Sequence, residues 1–277
     1  FQYYTITDNL FLYYISLICA IICKTAVPIF FMISGALLLN KDEKICKVYF
    51  NRIFRIVIVL LIFSLFVYII NLKDAGSFDL SIFLKTVYSS QVRFSYWYLY
   101  AYISFLIALP LLRKMVKAME KKDFVYLLLL GILAYYIIPV MQYILGIGRN
   151  SYLEFAFAGQ IFLFYPLIGY YCDKYLSINK KNLLFLLTAS LLSIVLTIIM
   201  TNAWIDQTGN IMSQNWLNAF ILIPSITVFA VIKLIFAKMT ICERISKIIC
   251  TIGSCTFGIY LLEGPIRQFC YMPIFNA

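Results

Sequence analysis

Residues 10 to 39 form a run of thirty positions that carries a single charge, Lys24. A bilayer span needs about 20 apolar residues, so this run crosses a membrane with length to spare. It is tilted, overhangs the bilayer, or bends at Pro28, which has no backbone donor to give its helix. A helix rises about 1.5 Å per residue, which puts Lys24 roughly 20 Å from either end. That is too deep for a lysine stem to carry its ammonium easily to either interface. A cation at such depth faces a bundle interior or a wet cavity and finds a partner there.

Seven further apolar segments follow, at about 54–71, 96–112, 124–146, 153–172, 183–200, 216–236 and 248–264. The expected fold is all-α: a polytopic transmembrane helix bundle of about eight spans, one membrane-embedded domain over residues 1–277. Composition agrees, with 64% hydrophobic and 13% charged residues, where soluble domains carry roughly 25% charge. The loops are short, the longest outer ones being 71–95 and 201–215. They leave no room for a soluble domain, so any activity resides in the bundle and its loops. The eight cysteines form no CxxC pair and the chain has no histidine. That argues for free buried thiols and against a zinc site.

Lysine and arginine set the orientation. Seventeen of the 23 follow the first, third and fifth segments or surround the end of the seventh. Five lie on the other side: Lys73, Lys85, Arg93, Arg149 and Arg267. The bias places the seventeen in the cytoplasm of a multi-pass cell-membrane protein, with both ends of the chain outside. Lipid headgroups then account for the net charge of +11, and no nucleic-acid partner is implied. The chain opens on Phe1 and closes on CYMPIFNA, which reads as a piece of a longer protein.

Several residues are candidates for chemistry. Glu263 closes the eighth segment and Glu154 opens the fifth, both at the outer side. An inward-facing Lys24–Glu263 pair is the preferred arrangement. Ser34 and Gly35 make a small, polar spot that suits either a substrate or the close approach of another helix. Ser95, Trp97, Tyr98 and Tyr100 open the third segment. They form an aromatic belt at the interface or a platform on which a sugar stacks. The cations Lys41, Lys44, Lys47, Arg52 and Arg55 are a topology signal, or a site for a phosphate-rich cosubstrate.

Taken in order, VPIFFMISGALLLNK (27–41), the Arg52 and Arg55 pair, SYWYLYAYISFLIALPLLRK (95–114), PLIGYYCDKY (166–175) and GSCTFGIYLLEGP (253–265) resemble the integral-membrane acyltransferase-3 family. Its members O-acylate surface polysaccharides and related glycans. The resemblance covers essentially the whole chain. It implies a ten-span bundle with cytoplasmic termini, of which this chain supplies spans two to nine. It also implies acyl-CoA, commonly acetyl-CoA, as a cosubstrate reached from the cytoplasm, no bound cofactor or metal, and an acceptor hydroxyl outside. Ser95 stands where the family often has His, Glu263 where it often has His after IYLL, and Lys24 where it often has Arg. The family's key histidine belongs to the missing first span, so this piece is expected to transfer little without it.

The resulting expectation assigns Arg52 and Arg55 to the CoA phosphates and Lys24 to developing negative charge. Glu263 holds the base or Lys24, and the aromatics of 95–100 position the glycan. Two rivals stay open. One is a transporter or flippase for a lipid-linked sugar, which often shows repeats and broken helix pairs. The other is a non-catalytic membrane scaffold.

Overall fold

The computed structural model describes residues 9–72, 78–147, 158–176, 179–208, 216–238 and 242–266. Regular structure among them is helical, with no strand. In hydrocarbon a helix satisfies its backbone polar groups within one segment. The α-helices are α1 (Leu10–Lys24), α2 (Ala26–Leu38), α3 (Ile45–Val48), α4 (Phe54–Leu72), α5 (Leu80–Ser89) and α6 (Trp97–Ala118). They continue with α7 (Lys121–Ile132), α8 (Ile138–Leu145), α9 (Ile161–Lys174), α10 (Lys180–Thr208), α11 (Leu222–Lys238) and α12 (Glu243–Ile266). Single π turns at Tyr49–Ile53 and Leu133–Ile137 join α3 to α4 and α7 to α8.

Among the described residues six stretches are long and apolar enough to cross a membrane: Leu10–Leu38, Ile45–Leu72, Trp97–Ala118, Lys121–Leu145, Lys180–Asp206 and Glu243–Glu263. They match six of the eight apolar segments. The fifth and seventh segments form shorter helices, α9 with 14 residues and α11 with 17. The start of the fifth segment, residues 153–157, lies outside the described residues. α11 starts late because Pro224 belongs in a first turn, where a missing N–H costs nothing, and Trp216–Asn218 forms a separate 3-10 turn.

The first span bends at Thr25 rather than at Pro28. Pro28 has no N–H for the carbonyl four residues back, which is that of Lys24. The helix therefore breaks just after Lys24. Thr25 turns both its N–H, at 3.1 Å, and its hydroxyl, at 2.7 Å, onto the carbonyl of Ile22. The π turn at Leu133–Ile137 has the same origin, since Pro139 lies four residues after Tyr135.

The chain divides into two compact units. The first comprises Phe1–Asp42 and Ala108–Lys238, and the second Glu43–Ile107 and Met239–Ala277. In the first unit α9 is central, buried at Phe164, Tyr165, Pro166, Leu167, Ile168, Gly169, Tyr170 and Cys172. α2 crosses it at two glycines. A Cβ on Gly35 would fall on the backbone of Pro166, and one on Gly169 on the backbone of Met32. Small residues of this kind let apolar helices approach to backbone contact inside a membrane.

One end of the first unit gathers basic side chains from distant parts of the sequence. Arg113, only 6% exposed, donates from Nε to the Leu38 carbonyl at 2.9 Å, at the C-terminus of α2. Lys117 pairs with Asp42. Phe124 packs on Tyr170, Tyr171 and Tyr175, and Lys233 pairs with Asp173 at 2.9 Å while donating to the Cys172 carbonyl. Cations at helix C-termini meet the negative end of the helix dipole. Arg113 and Lys117, after the third segment, thus share one end of the unit with Lys233 of the seventh. At the other end Tyr13 donates to Asn202, and Leu17, Ala20, Ile21 and Leu217 form a core cluster.

The second unit is joined by tyrosines. Tyr96, fully buried, donates to the Leu261 carbonyl at 3.1 Å. Tyr260 donates to the Ser95 carbonyl. Leu60, Val67, Tyr96, Leu99 and Leu261 form the core around these bonds.

The described cysteines are free, as expected, but only Cys172 is buried. The expectation of burial borrowed a rule from water-soluble proteins. On a spanning helix an apolar side chain gains as much facing lipid as facing protein.

Candidate functional site

The cationic segment after the first span builds the most ligand-like feature of the second unit. Lys44 opens α3 in extended conformation, and the π turn Tyr49–Ile53 then inserts one residue into the helical repeat before α4 begins. π turns occur frequently at functional sites. Here the turn sets Asn51 and Arg52 beside Arg55 on the rim of a cleft of about 230 Å³. Ile56, Val59, Tyr102, Leu106 and Phe257 form its walls. The cleft is cationic and polar at one end and apolar and aromatic along its length.

The two arginines differ in state. Glu43 grips Arg52 bidentately, with Nη2 2.8 Å and Nε 3.3 Å from its carboxylate oxygens. Such fork-on-fork pairing fixes a guanidinium in direction as well as in place. Arg55 is exposed and makes no ion pair among the described residues. Sequence reasoning reached both arginines but missed Glu43, Tyr102 and Phe257. A carboxylate nine positions before an arginine follows no helical spacing, because a turn separates them.

Lys24 is half-buried at the break between α1 and α2. Glu263 is exposed near the end of α12. The two belong to different units. Ser34 is half-buried beside Gly35 at the α2–α9 crossing, so the close-approach reading of that spot describes its glycine. Glu154, Lys73, Arg149 and Arg267 lie outside the described residues.

Two of the hydroxyls at the start of α6 are committed to backbone. Tyr96 holds Leu261, and Tyr100 donates to the Val87 carbonyl at 2.8 Å. Tyr98 stacks on Tyr102 at 5.9 Å between ring centroids and meets Tyr260 edge-on at the same distance. Trp97 stands edge-on to Tyr98 at 6.4 Å. Through Tyr102 this aromatic group runs into the wall of the cleft.

A second polar centre, in the first unit, was not legible from sequence. The Leu133–Ile137 π turn presents the Tyr136 hydroxyl to three partners. Ser193 Oγ lies at 3.0 Å, the Phe220 carbonyl accepts at 3.0 Å, and the Ile223 N–H donates at 3.1 Å. Ile223 is in the first turn of α11, so this hydroxyl caps a helix start. A single tyrosine among 22 gives no sequence signal for such a role.

Six spanning helices around short loops, with a cation-lined cleft, define a multi-pass membrane protein of the helix-bundle class. The family model for acyltransferase-3, described as an acyltransferase domain, matches residues 1–277. The chain belongs to the acyltransferase-3 family. It is accordingly a membrane acyltransferase by descent. Neither a curated protein nor a solved structure matches it significantly.

Proposed function

We propose that the chain is a cell-membrane O-acyltransferase that moves an acetyl group from acetyl-CoA to a hydroxyl of an extracytoplasmic glycan. The observation that carries this reading is the cleft of the second unit. An anionic donor with a long, largely uncharged arm needs cations at one end of its site and an apolar track beyond them. Arg55 and Asn51 stand at the first, and Ile56, Val59, Leu106 and Phe257 line the second. The basic ends face the cytoplasm in this reading, where acyl-CoA is found.

In the reaction the acceptor oxygen attacks the thioester carbonyl, the new C–O bond forms, and the C–S bond breaks. The acceptor proton passes to a base and the CoA thiolate leaves. Arg55 takes the phosphates directly, and Arg52, fixed by Glu43, supplies a second, oriented cation. Lys24 is assigned to the developing negative charge, since a cation in a low-dielectric site acts strongly there. Glu263 is assigned as proton acceptor or as partner of a cation. Trp97 and Tyr98 offer ring faces to the glycan, with Ser34, Ser95 and Glu154 as further polar contacts.

The test is acetyl transfer from labelled acetyl-CoA to a glycan acceptor by the complete protein in vesicles. Lys24→Ala should abolish transfer while leaving donor binding intact. Unchanged transfer in that variant removes Lys24 from the mechanism. Movement of a lipid-linked sugar without any acyl donor would instead establish a transporter.

A further inference from the structure

The stretch between the second and third segments is more than a loop. It contains α5, which Asp79 caps by accepting from the N–H groups of Ser81 at 2.7 Å and Ile82 at 3.2 Å. At ten residues it is too short to cross a bilayer, and apart from Ile82, which is 54% exposed beyond the polar side, its residues sort by face. Phe83 is buried and Val87 half-buried on the side packed into the second unit. Ser81, Lys85 and Ser89, four residues apart, make a polar stripe. Leu80, Leu84 and Tyr88, also four apart, make an apolar stripe that is exposed among the described residues. They are 57%, 51% and 95% exposed.

Two tethers fix the depth of this helix. Phe83 packs against Tyr68 at 5.3 Å between ring centroids, and Tyr68 lies one turn before the end of α4 at Leu72. The Val87 carbonyl accepts from Tyr100 at 2.8 Å, and Tyr100 lies one turn after the start of α6 at Trp97. The two contacts are four residues apart on α5, so one face of the helix touches both spans. Both hold it one turn, about 5 Å, inside the ends of two membrane-crossing helices. An amphipathic helix that lies in a membrane interface sits roughly 5–10 Å into the headgroup and acyl boundary. Tyr68 and Tyr100 mark this level, as interfacial aromatics do.

We infer that α5 is an in-plane membrane anchor whose Leu80, Leu84 and Tyr88 stripe docks into the headgroup–acyl boundary of the bilayer beside α4 and α6. The occupant of this face is lipid. The same unit already presents Ile62, Phe66 and Ile69 of α4 outward, so an exposed apolar stripe beside that span meets the same lipid. The anchor stands apart from the acyl-transfer reading and holds or fails without it.

The test places one tryptophan at a time on α5 of the complete protein in phosphatidylcholine vesicles and follows the emission added over the parent. Leu84→Trp and Leu80→Trp should add a blue-shifted component that is lost in vesicles of lipid brominated high on the acyl chains. Aqueous iodide should leave that component intact. Lys85→Trp should behave the other way, quenched by iodide and insensitive to bromine. Iodide quenching at Leu84 and Leu80, or shielding from both quenchers, overturns the proposal. The first outcome would put the stripe in water and the second would put it under protein. Because the substituted positions are exposed, monodisperse elution in detergent confirms that each variant is folded before it is read.

Discussion

The two units make their most distinctive helix contacts in different ways. The first brings helices together by removing side chains, so that Gly35 and Gly169 let α2 and α9 touch backbone to backbone. The second ties helices by tyrosine hydroxyls placed on backbone carbonyls, Tyr96 to Leu261 and Tyr260 to Ser95. At those two glycines the backbones meet with no side chain between them. The second unit carries the cation-lined cleft, with the rings of Tyr102 and Phe257 among its walls.

The largest expected effect breaks the first half of that contrast. Gly35→Val or Gly169→Val drives a branched side chain into backbone and should cost more than about 3 kcal/mol, seen as loss of monodisperse protein in detergent. The matched control is Gly253→Ala or Gly258→Ala on α12, where an added Cβ meets nothing within 4 Å. These should be neutral or stabilise by about 0.5–1 kcal/mol through helix propensity. Equal destabilisation at all four glycines would erase the distinction between the units.

Next is Arg113, buried against the end of α2. Arg113→Ala should lower stability by about 2–3 kcal/mol, the range for a hydrogen bond to a charged group, read from thermal unfolding in detergent. On the other side of the comparison, Arg55→Ala should raise KM for acetyl-CoA about tenfold, or roughly 1.4 kcal/mol, with little change in melting temperature. A melting shift without a KM change would make Arg55 a packing residue. Tyr136→Phe should then cost about 1–2 kcal/mol, because the Phe220 carbonyl and Ile223 N–H lose a buried partner.

The smallest effect depends on pH. The Lys117 ammonium, bonded to Asp42, holds that carboxyl below its usual range. A carboxyl with a depressed folded pKa stabilises above its unfolded pKa, and that contribution is lost as pH falls through the folded value. The group is fully exposed, so the change is slight. Lys117→Met should flatten the acid limb of a plot of melting temperature against pH below about 4.

What could be read from sequence followed physical range. Long apolar runs fix helices because hydrocarbon leaves the backbone no alternative, and Arg52 and Arg55 stood out as cations beside the start of a span. The bend near Pro28 was legible, but its position at Thr25 follows from the hydrogen bond that proline withholds four residues back. Tertiary partners were hidden. Nothing in the chain order points Glu43 at Arg52, Phe257 at Tyr102, or Tyr136 at the start of α11. The hydroxyls of the candidate Tyr100 and of its neighbour Tyr96 are bonded to carbonyls of residues distant in the chain. α5 escaped notice because ten residues with a narrow apolar stripe give too little periodicity against a background of long spans.

The glycine crossing also limits how the first unit can move. Two rods in backbone contact cannot slide along or roll over each other without lifting apart, and lifting them surrenders dispersion along the whole seam. During turnover α2 and α9 therefore travel as one stiff strut. Breathing that admits or releases a substrate is left to parts with compliant joints, such as the Thr25 bend and the two π turns, where the helical ladder is already interrupted.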